Sequence, residues 1–200
     1  MNLGQARGAA WALAAAAALG SAGLSGCAGA ATARVDDPLS ADEHMRLGSS
    51  YEDQNLRSAA AKEYASALRK QKDYLPALMA LGNVAFQDGD LIEAEIYYRK
   101  VIKLVPDHAG ANNNLAMVFL VRGSRLDTAE DLAKTALKNA GPFKPYVLDT
   151  LANVYMREGR YPDAKKILDE AEAACSPTNA LLREHLAQSR RQLTTYSKAL

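Results

Sequence analysis

Residues 75–107 read LPALMALGNVAFQDGDLIEAEIYYRKVIKLVPD, a pattern that two short helices explain. Apolar or small residues at Leu78, Leu81, Gly82 and Ala85 recur at helical spacing, and a second set follows at Leu91, Ala94, Tyr98, Val101 and Ile102. Gly89 and Asp90 separate the two runs. Glycine accepts the left-handed dihedrals needed where a helix stops, and Pro106 closes the second helix because proline lacks the N–H that would continue it. Gly82 and Ala94 are expected where the helices cross, since small side chains let the backbones approach while Leu78, Leu81 and Tyr98 fill the flanks.

Working outward, the same arrangement recurs along the chain. A leucine followed by a small residue stands at Leu47-Gly48, Leu81-Gly82, Leu115-Ala116 and Leu151-Ala152, at spacings of 34, 34 and 36. Four residues later come Tyr51, Ala85, Phe119 and Tyr155, and the turn position carries Asn55, Gly89, Gly123 and Gly159, all types that accept a positive φ. The small residue of the second helix is Ala60, Ala94, Ala129 or Ala164, followed seven later by Ala67, Val101, Ala136 or Ala171. The third unit departs from this register. It holds one extra residue between Gly123 and Ala129 and another near Gly141-Pro142, so its inner turn and its exit are expected to be irregular.

The unit resembles a tetratricopeptide repeat, and Leu81, Gly82, Gly89, Ala94, Tyr98 and Pro106 carry the resemblance. It implies an all-α fold: a right-handed α-solenoid of four helix pairs at about 41–73, 75–107, 109–142 and 145–177, within residues 40–177. Ser40 and Glu43 have the spacing of a capping box for the first helix. Residues 178–200 are expected to hold a capping helix and tail, because a solenoid leaves its last apolar face uncovered; Leu181, Leu182, His185, Leu186 and Leu193 are assigned to the covering face.

The N-terminus reads differently. Residues 1–7 carry one cation, Arg7, and no acid; Ala9 to Leu24 is uncharged and alanine-rich; Leu24-Ser25-Gly26-Cys27 follows. That is the layout of a secretory signal peptide over residues 1–26, and the run is shorter than the roughly 20 residues a membrane-spanning helix requires. The LSGC ending resembles the bacterial lipobox, which implies acylation of Cys27, and the resemblance makes Ala28 in the next position a mark of the outer membrane. Residues 27–39 then form the lipidated cysteine and a tether without periodicity, spanning roughly 20 Å as a flexible chain. Removing residues 1–26 takes away Arg7 and no acid, leaving 23 basic and 23 acidic side chains. Such a balance offers no basic field for nucleic acid or an anionic lipid surface, so attachment would rest on acyl chains. With Cys27 acylated, Cys175 has no thiol to pair with.

In tetratricopeptide families the first helix of each unit lines a concave groove that takes an extended or helical peptide. Here the resemblance places Met45, Ser49, Glu52, Met79, Asn83, Phe86, Asn113, Met117, Leu120, Asp149, Asn153 and Met156 on that surface. Methionine is flexible and polarizable, so a groove built from it fits several apolar side chains, while Asn83, Asn113 and Asn153 can pair both donor and acceptor of a ligand backbone. No lysine or arginine pair occupies these positions, so the carboxylate clamp of chaperone-binding members is missing. No CxxC, HExxH, GxSxG or phosphate-loop pattern occurs, and His44, His108 and His185 fall at structural positions. No catalytic residue, cofactor or metal is therefore expected.

The chain resembles tetratricopeptide lipoproteins that act as pilotins for type IV pilus secretins or as adaptors for cell-wall hydrolases. The expectation is a scaffold, not an enzyme, held by N-terminal acyl chains at the outer membrane, facing the periplasm and binding a protein or peptide partner. The alternative is an accessory subunit of a periplasmic peptidase or of an exopolysaccharide export system.

Overall fold

The computed structural model describes residues 37–198; the leader 1–26, Cys27 and the tether as far as residue 36 lie outside them. The described residues form α1 (Ala41–Asp53), α2 (Arg57–Lys70), α3 (Leu75–Gln87), α4 (Leu91–Leu104), α5 (Ala109–Arg122), α6 (Leu126–Lys138), α7 (Lys144–Arg157), α8 (Tyr161–Ala174) and α9 (Ala180–Lys198), with a 3-10 turn at Gly141–Phe143. Each odd helix packs on the even helix that follows, and each even helix on the next odd one, down to α9 on α8. The result is an all-α solenoid of four helix pairs and a last helix, with no strand among the described residues.

Local chemistry explains the boundaries. Ser40 caps α1 as its spacing predicts: the Glu43 N–H donates to Ser40 Oγ at 3.3 Å, and the Ser40 N–H donates to Glu43 Oε2 at 2.7 Å. Asp90 caps α4 by accepting the Glu93 N–H at 2.9 Å. All four turn positions have positive φ: Asn55 58°, Gly89 81°, Gly123 60° and Gly159 75°. The extra residue in the third unit is absorbed by Arg125, which also enters the left-handed region at φ 56°, so that α6 starts one position late. The second irregularity becomes the 3-10 turn before α7, with Gly141 at φ 50°.

The helix crossings are built in two ways. In the first two pairs a tyrosine ring lies against a glycine backbone: a Cβ on Gly48 would sit 2.3 Å from Tyr64 Cε1, and one on Gly82 would sit 2.6 Å from Tyr98 Cε1. The tyrosine therefore stands over the crossing itself instead of filling its flank. In the same register positions the last two pairs carry Ala116 with Ala133 and Ala152 with Leu168, all buried. The buried ring of these pairs stands on the first helix, as Phe119 and Tyr155, where the second pair has Ala85 and the first the half-buried Tyr51. Close packing requires the space at each crossing to be filled, because an unfilled ring-sized space would forfeit dispersion contacts on every side.

The core divides elsewhere, within the second pair. Ala60, Tyr64, Leu81 and Val84 form a small cluster between the first two pairs, whereas one larger cluster runs from Ala85 to Leu193 of α9. Leu182, Leu186 and Leu193 are the residues α9 buries, with Ser189 between them. Leu181 is 87% exposed, and the His185 side chain is 61% exposed, contrary to the face assigned to them. They sit one position ahead of Leu182 and Leu186, about 100° around the helix, and so leave the apolar stripe. No described helix is long and apolar enough to cross a membrane.

Candidate functional site

The first helices of the central pairs carry the candidate surface. A groove of about 760 Å³ opens along α3, α5 and the first turns of α7, lined by Met79, Asn83, Asn113, Met117 and Asp149. Phe143 and Tyr146 stand at its side and His185 of α9 at its end, and no lysine or arginine lines it. Two clefts adjoin it, one of about 110 Å³ with Phe86 and one of about 220 Å³ with Leu120 and Asn153.

The expected lining is shorter at both ends than the resemblance implied. Met45 is half-buried against the small N-terminal cluster and Ser49 is exposed, and neither lines this groove. Met156 is 5% exposed within the main core, so it is a packing residue and not a groove residue. At the C-terminal end α9 packs on α7, the first helix of the fourth unit.

Hydrogen bonding separates the three asparagines. Asn83 Oδ1 already accepts from the Tyr98 hydroxyl at 3.0 Å and from Asn114 Nδ2 at 3.0 Å, so it ties α3 to α4 and α5. Asn153 Nδ2 donates to the Asp149 carbonyl at 2.8 Å and to Ser189 Oγ at 3.4 Å. Neither side chain stands wholly available to a ligand backbone, as the sequence reading assumed. Asn113 differs: it is 9% exposed, its Nδ2 contacts Asn114 Oδ1 at 3.4 Å and Met117 Sδ at 3.7 Å, and its Oδ1 has no donor.

Asp149 is the other unusual member. It is 4% exposed, its Oδ2 lies 3.1 Å from His185 Nδ1, and its Oδ1 has no donor. Burial pushes its carboxyl above the ordinary aspartate range, opposed by Ser189, His185 and Asn153. Burial likewise pushes the Tyr98 phenol to about 12, so it is a neutral hydrogen-bond donor to Asn83 at any physiological pH.

His108 caps α5: its Nδ1 accepts the Ala111 N–H at 3.0 Å, which places the proton on Nε2 in the neutral ring. The position, immediately before the first residue of α5, is the one normally held by serine or aspartate, and that was the available signal for its role. Phe143 and Tyr146 went unassigned because they follow the irregular exit of the third unit, where repeat register gives no position. Their rings are 65% and 42% exposed by residue and lie 6.4 Å apart at 50°. Among the described residues no group of three His, Cys, Asp or Glu is placed to hold a metal ion.

With this geometry in place, comparison with known proteins locates the scaffold. A family model described as tetratricopeptide repeat matches residues 45–106 and 93–145. Over 69 residues the chain is 33% identical to the mouse protein O-mannosyl-transferase TMTC1, covering 34% of this chain and 7% of that protein. The chain thus corresponds to a small part of that relative, whose named activity is its own. The solved structure from a functional characterization of Pseudomonas aeruginosa pilF has a TM-score of 0.62 at 22% identity, covering 82% of this chain and 76% of its own. The crystal structure of MamA protein gives 0.59 at 19% identity, covering 67% and 72%. The crystal structure of the APC/C hetero-tetramer Cut9-Hcn1 gives 0.65 at 20% identity, covering 76% of this chain and 30% of that one. At these identities the likeness is one of fold.

Proposed function

Because the chain belongs to the tetratricopeptide repeat family, we propose that it is a membrane-anchored interaction scaffold whose central groove holds a segment of an envelope protein. The observation that carries the reading is the groove itself. It is apolar and polar by turns, walled by methionines and aromatic rings, and large enough at about 760 Å³ for a few residues of peptide. Family membership supports a scaffold that binds protein and assigns it no chemistry of its own. The anchoring rests on Leu24-Ser25-Gly26-Cys27 and on the uncharged run before it. An acylated Cys27 at the outer membrane would hold the solenoid on the periplasmic side, where a pilus secretin or a cell-wall hydrolase would be within reach.

Two measurements test the proposal. Replacing Cys27 with serine removes the thioether site and should move the protein from the detergent phase to the aqueous phase; unchanged partitioning would overturn the anchor. A photo-reactive amino acid at Met117 should cross-link a discrete envelope protein in cells, whereas one at the exposed Ile92 of α4 should not. Equal cross-linking from both positions would remove the groove as the binding surface.

A further inference from the structure

The inner surface does not end at α7. His185, Gln188 and Gln192 of α9 line the cleft of about 220 Å³ together with Met117 and Leu120 of α5 and Asn153 of α7. Met117, Asp149, Thr150 and His185 also line the larger groove, so the two spaces share a wall and together run from α3 to α9.

On α9 the three side chains fall on one stripe, about 100° around the helix from the buried Leu182, Leu186 and Leu193. Arg183, Glu184, Arg190 and Arg191 occupy the remaining circumference, where Arg190 pairs with Asp169 and Glu172 of α8 and Arg191 with Glu184. The helix thus keeps its fixed charges off the side that lines the cleft. A helix that only covered the last pair would need the leucine stripe and a solvated remainder, with no reason to sort amides from charges.

Charge and hydrogen-bonding capacity define the occupant. No lysine or arginine lines either space, and the one acid, Asp149, already faces His185, Ser189 and Asn153. A charged side chain entering there would give up hydration without meeting a counter-charge. Gln188 and Gln192 are exposed and make no hydrogen bond with the described residues, so each offers two N–H donors and a carbonyl acceptor. An extended backbone presents the matching N–H and C=O, which a helical one has already paired. Spacing agrees, since two residues four apart on a helix rise about 6 Å, close to the roughly 6.6 Å between alternate residues of an extended chain.

Resting on the reading that this groove holds a protein segment, we infer that α9 is part of the binding surface and that the segment it receives is extended and uncharged. The segment runs along α9, where Gln188 and Gln192 pair with its backbone. Its apolar side chains lie on Met117 and Leu120, the first of which adapts to their shape.

The test selects from a library of short blocked peptides, randomised over all amino acids, on the detergent-solubilised full chain. Selected peptides should be depleted of Asp, Glu, Lys and Arg at their central positions by about tenfold against the input. For a selected peptide, Gln188→Ala combined with Gln192→Ala, both at exposed positions, should weaken binding about five- to a hundredfold at an unchanged melting temperature. Methylating the peptide's central backbone nitrogens should weaken it comparably, and Arg191→Ala on the outer side of α9 should leave the affinity as it is. Enrichment of charged residues, no peptide binding more tightly than about 1 mM, or an affinity unchanged in the double variant would each overturn the inference. In cells, a photo-reactive amino acid at Gln188 should label the same envelope protein as one at Met117. Labelling from Met117 alone would overturn the part given to α9 and leave the groove reading standing, whereas no labelling from either would overturn both.

Discussion

The first two helix pairs and the last two solve one packing problem with different distributions of volume. In the N-terminal half, Gly48 and Gly82 leave the crossing position of the first helix bare and Tyr64 and Tyr98 reach over it from the second, although α1 also carries a half-buried ring, Tyr51, three residues beyond Gly48. In the C-terminal half the first helix brings the ring, as Phe119 or Tyr155, and the second answers with Ala133 or Leu168. The difference matters at the concave surface. The N-terminal tyrosines send their hydroxyls to residues of the inner helix, Tyr64 to Glu52 and Tyr98 to Asn83. Tyr155 sends its hydroxyl instead to Glu130 of α6 at 2.9 Å, where Arg160 also binds. Tyr64 and Tyr98 thus tie the second helix of a pair to its own first helix, whereas Tyr155 ties its pair to the second helix of the pair before.

The largest expected effect of breaking this comparison is at Tyr98. Tyr98→Ala deletes a ring that is 1% exposed and leaves Asn83 without one of its donors, at a cost of about 3 to 5 kcal/mol. Ala133→Gly in the equivalent position should cost about 1 kcal/mol or less. Thermal melts of the two variants decide the matter, and equal losses would show that the two halves do not differ in this way.

A smaller effect sharpens it. Gly82→Ala places a Cβ within 2.6 Å of the Tyr98 ring and should cost about 1 to 3 kcal/mol. Combining it with Tyr98→Leu recreates the alanine-leucine pairing of Ala152 with Leu168, so the double variant should lose less than the sum of the singles by at least about 0.5 kcal/mol. Strict additivity in denaturant unfolding would mean that the ring does not rest on Gly82.

The smallest expected effect concerns pH and the tie at Glu130. Burial pushes the Glu130 carboxyl up, but hydrogen bonds from Lys134, Tyr155 and Arg160 outweigh it and hold the group below its ordinary value. A depressed acid contributes stability that is complete above its unfolded pKa, near 4.3, and is lost as pH falls through the lower folded value. Glu130→Gln should therefore reduce stability at neutral pH and flatten the loss on the acid side, by an amount limited because its partner Arg160 is 40% exposed. Parallel acid profiles for the variant and the parent would exclude Glu130 as an acid-sensitive tie.

The fold was largely legible because the features that specify it are periodic. Leu81, Gly89 and Ala94 recur in register, and the structure gives each turn position the positive φ its residue type permits. Even the two irregularities of the third unit were visible as extra residues, although their form, a left-handed Arg125 and a 3-10 turn, was not. The candidate groove was legible in its centre and misread at its ends. Met156 carries the same pattern as Met79, and nothing in its own unit says that it is buried in the main core, which draws on segments distant in sequence. Asn83 and Asn113 likewise look alike in the sequence. Only the neighbours that packing brings, Tyr98 and Asn114 to one and none to the oxygen of the other, tell them apart.

The turn at Gly123–Leu126 also bears on how the chain length of a repeat relates to its stacking. One surplus residue there is taken up by rotating Arg125 into the left-handed region, where its guanidinium lies 5.2 Å from the centre of the Phe119 ring. The helices on either side keep their faces, since Phe119 and Ala129 both remain buried. A single backbone rotation thus acts as an expansion joint: the connector lengthens while the helices on either side keep the faces they bury.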